Sequence, residues 1–351
     1  MRRLNYLGVI GIGLIALMPA SVMAHQKWFV DQQQYPLETT AILSWRTALG
    51  LGIGLAVVAA ACLIERIVQR SRLPNELTDR LAQAEQRLVR LYDWVPLVFG
   101  IHVAIPLLVS GIQLDFIAPN LELQRNGIGG ILALLEIVVG LSFLYGAFTR
   151  WGALLLIGLL FAGGLVFGLE NVAEHVVYAG IAAFFYIVGR GPFSVDGLLG
   201  IGQPRDPALT RWAVPGLRIG MGASIMVLGF TEKLWNAPMG LAFLETYQFN
   251  FFPAIGLPFV TNEIFVLLAG VVEVTAGVLL ISGLFTRLAI LGLWLPFNLT
   301  LPLLGWQELV GHLPIYGIMV VLLIWGTEQG YGVREGVAAL GRGGRIQLAR
   351  R

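Results

Sequence analysis

Ten apolar stretches, each close to the length that crosses a bilayer, constrain this chain more than any other feature. They lie at about 5–24, 41–65, 94–112, 128–148, 151–168, 174–189, 212–230, 263–284, 287–304 and 312–326. A hydrocarbon core of ~30 Å takes ~20 apolar residues in a helix. The runs are continuous and do not alternate, which favours helices over a barrel. Of the 351 residues 57% are hydrophobic and 13% charged, and mean hydropathy is +0.78. A soluble domain carries about a quarter charged residues. This composition excludes a soluble enzyme and a disordered chain, and a net charge of +2 gives no field to hold nucleic acid. The lone Cys62 excludes an internal disulfide, a CxxC redox pair and a Cys-rich metal site. The expected fold class is an all-α polytopic membrane protein, with about ten spans if the first is retained.

Basic residues set the orientation. With the N-terminus in the cytoplasm, 19 of the 23 Lys and Arg fall inside, leaving Lys27, Arg46, Arg125 and Lys233 outside. Both termini are then cytoplasmic. Residues 1–24 read as a signal peptide or as a first transmembrane helix: Arg2-Arg3, a glycine-rich apolar core, then Pro19 to Ala24. Residues 25–92 hold an outer segment, a span and a charged stretch, 66–93, expected to form an amphipathic helix on the inner leaflet. A basic tail, 327–351, closes the chain.

A shift of 137 residues aligns 131–189 with 268–326 without a gap, and 14 of 59 positions are identical. Glu136 falls on Glu273, Phe148-Thr149-Arg150 on Phe285-Thr286-Arg287, His175 on His312 and Gly180 on Gly317. The preceding spans match with a shift near 119. Two tandem four-helix units are expected, 93–189 and 211–326, side by side and joined by a linker at 190–210.

The repeated unit resembles the DoxX family of small four-helix membrane proteins. The likeness rests on Leu217-Arg218-Ile219-Gly220, Gly229-Phe230-Thr231-Glu232-Lys233-Leu234, Glu273-Val274-Thr275-Ala276-Gly277 and Gly283-Leu284-Phe285-Thr286-Arg287. The first unit departs from this pattern, with Asp115 where the second has Lys233 and Phe99 in place of Arg218. The resemblance implies a bacterial inner (cytoplasmic) membrane protein linked to thiosulfate:quinone oxidoreductase or other redox and detoxification assemblies. It supplies no agreed catalytic residues.

The best candidates for chemistry are intramembrane or interfacial polar groups. Glu136 and Glu273 lie inside apolar spans, where an ionised carboxylate costs several kcal/mol unless it is paired. They fit either proton exchange at a quinone or substrate pocket, or a tie between helices. Arg150 and Arg287 are expected to anchor on lipid phosphates. His175 and His312 stand at outer span ends near Glu170, Glu174 and Glu308, an arrangement that suits metal binding, a proton relay or simple hydration. His102 is placed to meet a quinone carbonyl or a helix backbone. Lys233 is placed to draw an anionic substrate or to pair with Glu232. His25 becomes a copper-chelating N-terminus only if the chain is cut after Ala24.

The leading expectation is the membrane subunit of a quinone-linked oxidoreductase. Quinone is the one cofactor that the resemblance implies; no cofactor is evident in the chain itself, which carries no haem, flavin or dithiol signature. A redox partner protein would then supply the other centre, and the bilayer is the constant partner. The alternatives are a non-enzymatic carrier or scaffold for a small solute, lipid or protein, and copper handling at the outer face through His25.

Overall fold

A computed structural model describes residues 25–37, 39–70, 87–88, 90–201 and 207–326. The possible signal peptide or first span, most of the expected amphipathic helix and the basic tail lie outside these residues.

The architecture is an all-α polytopic membrane protein. Its helices are α1 (Trp45–Arg70), α2 (Val95–Gln113), α3 (Gly127–Tyr145), α4 (Thr149–Phe167), α5 (Val177–Val188), α6 (Ala213–Leu228), α7 (Ala237–Tyr247), α8 (Asn262–Ser282) and α9 (Thr286–Trp325). Seven helices among the described residues are long and apolar enough to cross a membrane. The shorter α5 is preceded by a turn of helix, Leu169–Ala173. At 1.5 Å per residue the 40 residues of α9 would run ~60 Å, twice a bilayer core. The chain instead reverses at Gly305, where φ is 68° and ψ −144°. A side chain is strained in that region, so the residue at the turn must be glycine. The two legs of α9 are thus separate spans. Nine of the ten expected spans fall among the described residues, and the first lies outside them.

Gly168, at φ 86° and ψ 156°, makes the same reversal between α4 and the helical turn before α5. It stands 137 residues before Gly305, the spacing of the sequence repeat. At the open end of each hairpin, a span's length from its glycine, the Phe-Thr-Arg turn that begins the hairpin places an arginine to reach across by 36 residues. Arg150 Nε donates to the Tyr186 carbonyl at 3.1 Å, and Arg287 Nε to the Leu323 carbonyl at 2.8 Å. These guanidinium groups, expected on lipid phosphates, satisfy carbonyls near helix C-termini, which lack intrahelical donors.

The two halves do not close separate cores. The fourth span of each half packs on the first span of the other, α5 on α6 and the second leg of α9 on α2. A Cβ at Gly180 would come within 2.7 Å of the Gly216 carbonyl, and one at Gly317 within 2.8 Å of the Phe99 ring. One apolar cluster accordingly draws on both halves, from Phe99, Phe143 and Phe185 to Leu217, Ile318 and Val321. The side-by-side expectation gives way to an interlocked pair. Lipid-facing α1 lies outside this core against α8.

At the end opposite the arginine turns, three features that no sequence pattern announces cap the bundle. Residues 25–37 form a strap of 3₁₀ turns. A β-hairpin pairs β1 (Asp115–Phe116) with β2 (Ala118–Glu122). The loop after α6 contains α7.

Candidate functional site

The strap end encloses a cavity of about 40 Å³, lined among others by His25, Trp28, His175, Tyr178, Ser224, Lys233, Glu273 and His312. Space for one water begins at ~10–15 Å³, so it has room for a few water molecules. The cavity lies between the halves, where α5, α6, α8 and the second leg of α9 meet under the strap.

The sequence builds it by breaking helical regularity at α6. Gly229–Leu234 continues that helix as a π-helical turn, and all six residues are buried. The wider turn directs Thr231, Glu232 and Lys233 inward together, a geometry often found at functional sites. Lys233 Nζ lies 3.1 Å from Glu273 Oε1 and 3.4 Å from Glu232 Oε2. Its place at the end of a span suggests an interface; the structure leaves it only 1% exposed, because two carboxylates make burial of the ammonium tolerable.

The strap is tied to the same groups. Glu232 accepts the backbone N–H of Gln26 at 2.9 Å and of Lys27 at 3.4 Å. Lys27 Nζ donates to Glu174 at 2.6 Å and to Glu170 at 3.3 Å, and Thr231 Oγ1 donates to Glu174 at 2.7 Å. Burial acts to lower the Lys27 pKa, but Glu174, Glu232 and Glu170 outweigh it and hold the ammonium above its ordinary value. Trp28 packs against Gly311, closing the cavity toward the strap.

Three imidazoles from distant parts of the chain meet here. The His25 ring stacks on Trp28 at 4.2 Å and lies 6.0 Å from His175 and 5.7 Å from His312, between ring centres. Burial, with His312 and His175 close by, pushes His25 well below the ordinary histidine pKa. His175 Nδ1 lies 3.0 Å from the Asn171 carbonyl. A carbonyl only accepts, so Nδ1 carries the proton, and the buried Nε2 has no hydrogen-bond partner. His312 Nδ1 is 3.3 Å from Glu308 Oε1 without a hydrogen bond, so both of its ring nitrogens are buried without a hydrogen-bond partner. Among the described residues, no three His, Cys, Asp or Glu side chains converge closely enough to hold a metal ion as they stand.

The other candidates lie elsewhere. Both carboxylate oxygens of Glu136 accept the N–H of Ile117, at 3.0 and 3.2 Å, which ties α3 to the hairpin. Its repeat partner Glu273 faces the cavity instead. His102 Nδ1 is bonded to the Val98 carbonyl one turn back on its own helix. The structure therefore unites His25, His175, His312, Lys233 and Glu273, and leaves Glu136 and His102 apart. Trp28, Tyr178 and Ser224 join the site without any signal in the sequence. Nothing in their local pattern distinguishes them from ordinary span or interface residues.

The fold and this site define a polytopic helical membrane protein with a small cavity between interlocked halves, into which charged and imidazole side chains project. Within it, residues 213–303, covering α6 to the first leg of α9, match the DoxX family model. No curated protein and no solved structure matches the chain.

Proposed function

We propose that this DoxX-like protein is a non-enzymatic carrier or binding protein that takes a small hydrophilic ligand into the cavity between its halves. The observation that carries the reading is the cavity itself, about 40 Å³, in which three imidazoles, two carboxylates and an ammonium stand among apolar side chains such as Ile117, Leu228 and Phe297, under the strap. Sites for drug-sized ligands occupy ~300–1,000 Å³. A quinone headgroup needs far more space than this cavity offers. The DoxX match favours the quinone-linked redox reading; of the residues expected at a quinone or substrate pocket, Glu136 and His102 are engaged by backbone groups, while Glu273 and Lys233 line this cavity and are paired with each other. The matched Gly168 and Gly305 turns support two DoxX-like units, 93–189 and 211–326. The DoxX match supports a bacterial inner membrane, and the arginine bias supports an orientation with the arginine turns in the cytoplasm and the strap outside.

Ser224 lines the cavity and gives the test. In a Cys62→Ser background, Ser224→Cys should react slowly with a small methanethiosulfonate added from the strap side. It should react about tenfold faster when Lys27→Ala loosens the strap, because local opening then costs less. Absence of reaction from that side in both variants would refute the carrier reading.

A further inference from the structure

We infer that a second, larger cavity on the strap side of the bundle binds the headgroup of an anionic phospholipid, with Arg46 on the phosphate and Trp45 beside it. This site is separate from the cavity between the halves and independent of the carrier reading. Three observations converge on it.

The first is place. The second cavity measures about 540 Å³ and lies between the strap, the start of α1 and the loop after α6, lined among others by Tyr35, Trp45, Arg46, Leu234, Trp235 and Asn236. That volume falls within the ~300–1,000 Å³ of sites for drug-sized ligands. Trp45 begins one apolar span and Leu234 ends another, so the cavity sits at the boundary of the hydrocarbon, the level at which tryptophan is enriched. In the orientation that the arginine bias supports, this is the outer leaflet. Ile42 and Leu43, which stand between the lining residues Ala41 and Ser44, are exposed, Leu43 at 94%. An apolar patch beside a cavity that holds a guanidinium suits an amphiphile, its tails on the patch and its headgroup within.

The second is charge. Of the four basic residues on the strap side, Lys27 and Lys233 are held by carboxylates within 3.4 Å. Arg46 is half-buried, and among the described residues it has no carboxylate partner; its guanidinium lies 5.7 Å from the centre of the Trp45 ring. Partial burial of a cation without a counter-ion is costly. A phosphate relieves that cost, because its oxygens accept the forked donors of a guanidinium in pairs.

The third is construction. Hydrogen bonds between distant segments fix the walls. Trp235 Nε1 donates to Thr47 Oγ1 at 2.7 Å, and Asn236 Nδ2 donates to the Tyr35 carbonyl at 2.7 Å. Thr47 Oγ1 donates in turn to the Ala41 carbonyl at 3.2 Å, and the Trp235 ring stacks on Phe230. A cavity with walls fixed in advance spends little of its binding energy on ordering side chains. The π-helical turn serves both cavities, since Lys233 lines the first and Leu234 the second.

The test uses the full chain, purified in mild detergent, stripped of lipid and titrated separately with phosphatidylglycerol and phosphatidylcholine, with bound lipid read by native mass spectrometry. We expect about one phosphatidylglycerol per chain, held about fivefold more tightly than zwitterionic phosphatidylcholine. Arg46→Gln should weaken phosphatidylglycerol binding about tenfold, through loss of a charged hydrogen-bond donor. Arg46→Lys keeps the charge but not the fork and should lose less. Trp45→Ala, at an exposed position, should lose about threefold and keeps the test open if Arg46→Gln misfolds. Arg125→Gln, on a strap-side arginine outside the lining, should leave binding unchanged. Inorganic phosphate at millimolar concentration should not displace the lipid. Displacement by inorganic phosphate would make this a site for a soluble anion and overturn the inference. So would equal affinity for the two lipids, or phosphatidylglycerol binding that is indifferent to Arg46→Gln and Trp45→Ala.

Discussion

The contrast between Glu136 and Glu273 shows how one repeated residue acquires two physical roles. Each acid sits at the same depth of its repeat, and each serves the end of the first helix in its own half. In the first half the chain turns into a hairpin there, and the Ile117 N–H meets Glu136. In the second a π-helical turn delivers Lys233 to Glu273. Both acids are visible in the sequence, but their partners are not, because those depend on how each helix ends. Removing one member of a buried ion pair strands the other, at a cost of about 3–5 kcal/mol. Lys233→Met should therefore destabilise the protein by about that much in detergent unfolding, and adding Glu273→Gln should restore a large part. Equal losses in the single and double variants would dissociate the two groups. The hairpin offers a pH test outside the membrane. Asp115 is paired in register with Glu122, and burial, with Glu122 adding, raises its pKa to about 6. The folded hairpin thus binds more protons than the unfolded chain between pH ~4 and 6, so its stability falls as pH rises through that window and stays lower above it. Hydrogen-exchange protection of residues 115–122 should be greater at pH 5 than at pH 7, and Glu122→Gln should shrink the difference.

Among the elements, the spans are readable because lipid imposes one rule on all of them: about 20 apolar residues for each crossing. The expected stretches at 94–112 and 263–284 lie within two residues of α2 and α8 at each end. The capping elements obey no such rule. The hairpin contains Pro119 and only five residues in its longer strand, so no alternation marks it. The strap is held by side chains more than 140 positions away, such as Glu174 and Glu232. For the same reason the meeting of His25 with His175 and His312 is not legible in the chain, although the repeat does mark the latter two as equivalent. The turns between spans can be tested through backbone torsion alone. A Cβ at Gly168 or Gly305 would meet nothing within 4 Å, yet both residues have positive φ. Alanine at either site should cost about 1–3 kcal/mol through backbone strain, without any clash. Unchanged thermal stability in Gly305→Ala would show that the two legs of α9 reverse by some other means.

For the molecule as a whole, the exchange of fourth spans decides what a half-protein can be. A self-contained four-helix unit would bury the inner face of its fourth helix on its own first helix. Here the α5 face bearing Gly180 lies against Gly216 and Gly220 of α6, while Gly317 lies against Phe99 and His102 of α2. At Gly180 and Gly220 the approach is backbone to backbone, which in a membrane needs small residues because lipid tails provide no hydrophobic force between helices. Each half alone would therefore expose a helix face shaped for its partner, and the cavity would lose lining residues from both sides. His175 comes from the first half, and Lys233, Glu273 and His312 from the second. Dividing the chain in the 190–210 linker should give two fragments that are degraded when made singly and that co-purify when made together. The rejoined pair should recover the slow reaction of Ser224→Cys, because closure of the cavity depends on both halves and on the strap. Two fragments that were each stable, monomeric and indifferent to the other would show that the halves close their own cores and that the interlocking is dispensable.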